Sequence, residues 1–457
     1  MARPREAPEI ERIMGLEVYI TPQPGVGGRI RARLEDFIVR EVLLDGSCAD
    51  ISPRWPEGPI QGRGSFLLCV LVKKGLDTLK AARLLARELR IPDGLVGFAG
   101  LKDARGLTAQ FLTLRGVKPE QLRPLDLEGI RIVPVRYQTS PLEPGQLAGN
   151  RFDVVVRGIS LGEQELAGRT IAILAHLAEL GGLPNFFGHQ RFGTARPVTH
   201  LVGRELVRGD VRKAVEIFLA YLGPGEGPGA REARSYLAET WDLKGFLRLL
   251  PRGFYYERLM AEHLLRRPRD YHGAMRRLPL RLRRLFIQAY QAYLFNRFLS
   301  ARAREGLPLS EPLPGDWVLL LDEHGLPTKA VRAGGGNLSE LRRLTKAGRA
   351  SVAIPLPGFR QEPSGGRQGE IESAVMEEEG VAPEDFKVKV MPEVSSGGGL
   401  RPVLARLSLL SKPEVFEDEL GPGLRALRLC FQLPRGSYAT CLLREIMKPE
   451  DPLRAGF

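Results

Sequence analysis

Residues 424–434 read LRALRLCFQLP, and this stretch decides how the chain is assembled. Apolar and polar residues alternate along it, the period of a strand half-buried in a sheet. GSYATCLLREIMK (436–448) then begins a helix. The unit follows a long helical excursion, so its strand can rejoin a sheet laid down by the start of the chain. That start is rich in strands. SFLLCVLV (65–72), a short apolar run ended by Lys73-Lys74-Gly75, reads as a buried strand. LVGFA (95–99), QFLTLR (110–115), IRIVPVRY (130–137) and RFDVVVR (151–157) read as further strands. Thr78 is the expected N-cap of LKAARLLARELR (79–90), with Leu79, Ala82, Leu85 and Leu89 on one face. AGRTIAILAHLAEL (167–180) is a second helix, stopped by Gly181-Gly182 and Pro184. Many strands with few helices between them predict an α/β (α+β) fold, a mixed or antiparallel sheet with flanking helices.

After about residue 195 the chain turns helical and arginine-rich. GPGEGPG (223–229) and EPSGGRQG (362–369) read as loops or linkers. Segment 264–284 holds eight arginines and a single acid, Asp270. Such runs are solvated faces unless an anion neutralises them, and phosphate is one such anion. In the next helix, RRLFIQAYQAYLFNRFL (283–299), Phe286, Tyr290, Tyr293 and Phe298 form a core stripe.

With 457 residues, two or three domains are expected. A net charge of +13 favours a polyanionic partner. No apolar run approaches the ~18 residues of a membrane span. MARPREAPEIER is polar with no apolar core behind it, so no signal peptide is read there and nucleic acid is the favoured polyanion. Cys48, Cys69, Cys430 and Cys441 show no C-x-x-C spacing and the six histidines no H-x-x-x-H pair. No metal site is expected, and reduced thiols fit a cytoplasmic protein.

Three segments offer chemistry. GFAGLKDARGLTAQ (97–110) carries Lys102-Asp103 in a glycine-punctuated turn; the plain alternative is a turn aspartate. LPNFFGHQRFG (183–193) brackets Asn185, Phe186, Phe187, Arg191 and Phe192 with Pro and Gly. It reads as a loop presenting an aromatic face and a polar edge to an RNA base, or as a buried aromatic anchor. RIRARLEDFIVREV (29–42) sets basic residues before a Glu35-Asp36-Phe37 turn.

Taken in order, EDFIVREV (35–42), KKGLDTLKAARLLA (73–86), GFAGLKDARGLTAQ, GQLAGNRF (145–152), NFFGHQRFG (185–193), AYQAYLFN (289–296) and LPRGSYATCLLREIMK (433–448) resemble the TruD family of tRNA pseudouridine synthases, in its archaeal-type branch. The resemblance covers roughly residues 20–450 and implies an isomerase that needs no cofactor, with tRNA as partner and no obligate protein partner. It implies a mainly antiparallel catalytic domain made of 1–195 and 401–457, interrupted by a helix-rich insertion, 196–400. Asp103 matches the family's catalytic aspartate, as nucleophile or as base in a glycal route. Phe187 matches the aromatic that stacks on the flipped base, and Asn185 a pocket asparagine. Arg31 stands where the family carries a lysine, and an Arg31–Asp103 pair follows from that placement. Glu35 matches an acid near the pocket. Arg276, Arg277, Arg283 and Arg284 become candidate phosphate contacts, and uridine 13 the expected target. The rival readings are a non-catalytic RNA-binding protein on the same scaffold and a carboxylate hydrolase, for which only Glu35 offers a second acid.

Overall fold

The computed structural model describes residues 4–102, 105–143, 145–323 and 325–457. Asp103, the expected catalytic residue, lies outside the described residues. The chain begins with β1 (Arg5–Glu6), α1 (Glu9–Arg12) and β2 (Val18–Tyr19). It continues with β3 (Phe37–Leu43), β4 (Phe66–Lys74), α2 (Thr78–Glu88), β5 (Val96–Phe98), β6 (Leu107–Arg115), β7 (Ile130–Gln138), β8 (Leu147–Ile159), α3 (Glu163–Glu179) and β9 (Leu183–Pro184). A helical stretch follows: α4 (Thr199–Val207), α5 (Val211–Ala220), α6 (Pro228–Thr240), α7 (Leu243–Leu249), α8 (Tyr255–Arg266), α9 (Tyr271–Arg276) and α10 (Leu280–Arg304). Strands β10 (Trp317–Leu321), β11 (Pro327–Arg332), β12 (Ala350–Leu356) and β13 (Gly399–Pro402) form a small sheet, with α11 (Leu338–Lys346) and α12 (Gly366–Glu378) between them. The chain ends with β14 (Leu404–Ala405), β15 (Ser408–Leu409), β16 (Glu414–Glu417), β17 (Arg425–Pro434) and α13 (Ala439–Met447).

Strand β17 does return to the first sheet, whose order is β15-β17-β8-β3-β6-β4-β7, with β16 also on β17 and β5 on β6. Among these pairings β3–β6 is parallel and the others are antiparallel. Alternation explains the placement of β17. Leu427, Leu429, Phe431 and Leu433 face the main core, while Arg428 turns outward to a bidentate pair with Asp153. Strand β4 lacks alternation because both its faces are covered. Leu67, Cys69 and Leu71 pack with Ala81 and Leu85 of α2, and Leu68, Val70 and Val72 with Phe111 and Leu147.

The cap of α2 differs from expectation. Asp77 accepts from the Lys80 N–H at 2.9 Å and is the N-cap. Thr78 is buried instead, its hydroxyl donating to Gln110 at 2.8 Å and accepting from the Lys102 N–H at 2.8 Å. The two expected loops are also shorter than read. Pro228 opens α6 as its first residue, where its missing N–H is harmless, and α12 begins at Gly366. In α10 Phe286, Tyr290 and Phe298 of the predicted stripe are buried and Tyr293 is partly buried, and the stripe joins the helices to the sheet's core.

Candidate active cleft

A cleft of about 760 Å³ opens over the ends of the central strands. Arg31, Phe37 and Val39 come from β3 and the turn before it. Ala99 to Lys102 come from the loop after β5, and Leu147, Asn150 and Phe152 from β8. Gln190 and Arg191 follow β9, Leu285 is on α10, and Arg435 to Thr440 link β17 to α13. Five of the seven family-like segments thus meet in one place, although up to about four hundred residues separate them. The described lining residues include four cations, Arg31, Lys102, Arg191 and Arg435, and no carboxylate. Such a wall favours a phosphate-bearing ligand.

Lys102, the last described residue before Asp103, lines this cleft. Its ammonium lies 2.5 Å from Glu41 Oε1, with Glu41 buried and Lys102 partly so. Glu41 also accepts from the Phe111 N–H at 2.8 Å. Burial pushes the Glu41 carboxyl up, against the pull of Lys102. The Lys102 charge therefore has its own partner. Its backbone N–H is held by Thr78, so α2 anchors the loop just before Asp103. The glycines nearby answer to the protein's own packing: a Cβ on Gly106 would sit 2.5 Å from the Phe37 carbonyl oxygen, and one on Gly97 2.5 Å from the Thr113 hydroxyl.

The aromatic loop after β9 is buried at the cleft's edge. Phe187 is 8% exposed and does not line the cleft. Tyr438, which does, has its ring 6.1 Å from that of Phe187. Phe295 meets Phe187 edge-on at 5.6 Å. Asn296 of α10 holds the Phe187 backbone from both ends, accepting from its N–H at 2.8 Å and donating to its carbonyl at 3.1 Å. The Asn185 amide is held within the protein by three hydrogen bonds. Its Nδ2 donates to the Pro402 carbonyl at 3.0 Å, and its Oδ1 accepts from Arg401 at 2.8 Å and Ser437 at 3.2 Å.

Arg31 lines the cleft in a left-handed conformation (φ 58°), 4.4 Å over the Phe37 ring, with Nη1 donating to the Gly456 carbonyl at 2.9 Å. Glu35 is not brought to the cleft. It is half-exposed and paired with Lys74 at 2.5 Å, and Lys74 holds its carboxyl below the usual range. The buried acid beside the cleft is Glu41. Its signal was present in the alternation, since Phe37, Val39 and Glu41 share one face of β3. Of the four arginines, Arg283 is buried and bonds to Glu393 at 2.5 Å. Arg276 and Arg284 also contact Glu393, at a carboxylate oxygen and the carbonyl respectively. Arg277 is exposed, as is Arg281, one helical turn before the cleft residue Leu285. Among the described residues no cluster of three His, Cys, Asp or Glu could hold a metal ion, and no helix is long and apolar enough to cross a membrane.

This sheet and this cation-walled cleft belong to the pseudouridine synthase class of fold. The sequence profile of the tRNA pseudouridine synthase D (TruD) family matches residues 13–446. The chain is similar to a Methanopyrus kandleri protein named "Probable tRNA pseudouridine synthase D", at 44% identity over 85% of this chain and 87% of that one. It is 39% identical to a protein of the same name from Methanococcoides burtonii, over 98% of this chain and 99% of the relative. A crystal structure from Methanosarcina mazei described as tRNA pseudouridine synthase D superimposes with a TM-score of 0.80 at 37% identity, covering 97% of this chain and 98% of that one. The chain belongs to the TruD family of tRNA pseudouridine synthases.

Proposed function

We propose that this protein converts uridine 13 of tRNA to pseudouridine, with Asp103 as the catalytic carboxylate. The observation behind this reading is convergence: Lys102, the residue before Asp103, lines the same cleft as Arg31 and the loops at 190–191 and 435–440. In the reaction the N1–C1′ bond of the uridine breaks and uracil leaves with the electron pair. The base turns, C5 bonds to C1′, C5 loses its proton and N1 gains one. Atoms balance with no external reactant. Asp103 either attacks C1′ or takes the C2′ proton, and either role needs an ionised carboxylate. Cations along the cleft favour that form, and Arg31 is the proposed partner. The target base must leave its stack, and Phe187 is the ring proposed to receive it. Tyr438 lines the cleft with its ring 6.1 Å from that of Phe187, so the reading has the Tyr438 side chain move or share the stacking. The chain is expected to work in the cytoplasm, where its tRNA is, and Arg277 and Arg281 are proposed phosphate contacts that position the RNA.

The test is tritium release from tRNA labelled at uridine C5. Wild type should release tritium in step with product, and Asp103→Asn should lower the rate at least ~100-fold while still binding tRNA. Normal release by Asp103→Asn would remove Asp103 from the mechanism. No release by wild type on any tRNA would favour a non-catalytic RNA-binding protein.

A further inference from the structure

Arg401 is a buried cation with no carboxylate partner among the described residues. Its Nε donates to the Asn185 carbonyl at 2.9 Å, and its Nη2 to Asn185 Oδ1 at 2.8 Å and the Gly436 carbonyl at 2.9 Å. These are three bonds to neutral oxygens from a group with five donors. The guanidinium carbon sits 3.9 Å from the centre of the Phe187 ring and 5.6 Å from that of Phe295. Arg191, another cation, is 5.7 Å from the same Phe187 ring. Burial, with Arg191 adding to it, pushes Arg401 down to about 10. An unpaired buried charge is expensive to the fold. A purely structural clamp between two carbonyls and a ring could be built from a neutral side chain at less cost.

We propose that Arg401 is the positioning residue of the base-binding loop, fixing Asn185 by two hydrogen bonds and backing the Phe187 ring with a permanent positive charge. This deepens, and rests on, the reading of Phe187 as the ring that receives the base. Its chemistry fits the step in which uracil leaves with the electron pair. A cation behind an aromatic ring draws the ring's electrons toward itself, so the opposite face repels an anionic base less. The same guanidinium reaches Gly436, in the cleft-lining 435–440 segment, and so ties the Asn185 loop to that segment. Arg401 acts through Asn185 and Phe187, not by touching the base.

The experiment compares wild type, Arg401→Met, Arg401→Lys and Arg401→Ala by tritium release, tRNA binding and thermal unfolding. Arg401→Met should lower kcat about 100-fold, the scale of a misplaced reacting group, with KM for tRNA within threefold of wild type. Arg401→Lys keeps the charge but loses the fork to Asn185, and should fall between the two. Guanidinium ion at millimolar concentration should raise kcat of Arg401→Ala saturably and leave Asp103→Asn inactive. Should Arg401→Met fail to fold, Arg401→Lys and the rescue decide alone. A folded Arg401→Met with kcat within threefold of wild type overturns the proposal, as does Arg401→Lys at wild-type kcat without any guanidinium rescue of Arg401→Ala. Inactive wild type would instead sink the proposed function itself.

Discussion

Lys102, partly buried, and Arg401, buried, are both cations beside one cleft, and their surroundings are opposite. Lys102 touches the carboxylate of Glu41 at 2.5 Å, while among the described residues Arg401 meets carbonyl oxygens and rings. The paired cation contributes geometry: with Thr78 on its backbone, Lys102 is fixed at both its main chain and its ammonium. The unpaired one keeps its field. Sites that handle developing anions retain such charges even though they burden stability. A third charge completes the contrast. Glu372 of α12 lies among Ser364, Gln368 and Asp316, with no cation on its carboxylate among the described residues, and burial pushes it up to about 7.

The comparison breaks most easily at Glu41. Glu41→Ala strands the partly buried Lys102 ammonium and should cost about 3–5 kcal/mol of stability, read by urea unfolding. Glu41→Leu with Lys102→Leu removes both charges and should be much milder. Equal losses in the single and double variants would show that packing, not charge pairing, matters there. Glu372 should behave in the opposite sense. Its pKa is raised from 4.5 to about 7, so the folded protein holds a proton that the unfolded chain releases. Stability from this group is lost as pH rises through that window, by up to about 3 kcal/mol above it. Glu372→Gln should remove the slope and raise stability at pH 8, and unchanged unfolding curves at pH 5 and pH 8 would reject this. The smallest effect is expected at the exposed arginines. Arg277→Glu with Arg281→Glu should weaken tRNA binding and reduce its salt dependence by about 1 per lost phosphate contact. An unaltered slope would make that surface a solvated face, as Arg283 and its bond to Glu393 already make part of it.

Much of the fold was legible because its signals are local. Alternation in 424–434 and the apolar run of β4 each name a strand without knowledge of a partner. Helix capping was less so, since Asp77 and Thr78 suit the same position by residue type. Thr78 is drawn away by Gln110 and Lys102, which only the folded chain brings near. The site divides in the same way. Motifs singled out Phe187, Asn185, Arg31 and Asp103, and of these Arg31 lines the cleft. Glu41 sits in the same motif as Glu35, but its pairing with Lys102, 61 residues away, is visible only in the folded chain. Arg401 lies outside the motifs and reaches Asn185 across 216 residues. Glu35 drew attention because it sits in a motif, yet its side chain is on the surface with Lys74.

The most direct measurement is a map of pseudouridine in tRNA after incubation with wild type and with Asp103→Asn. A single new pseudouridine at position 13 with wild type, absent with the folded variant, is the predicted result. The same modification from both proteins, or none from wild type, would contradict the assignment of an Asp103-dependent synthase.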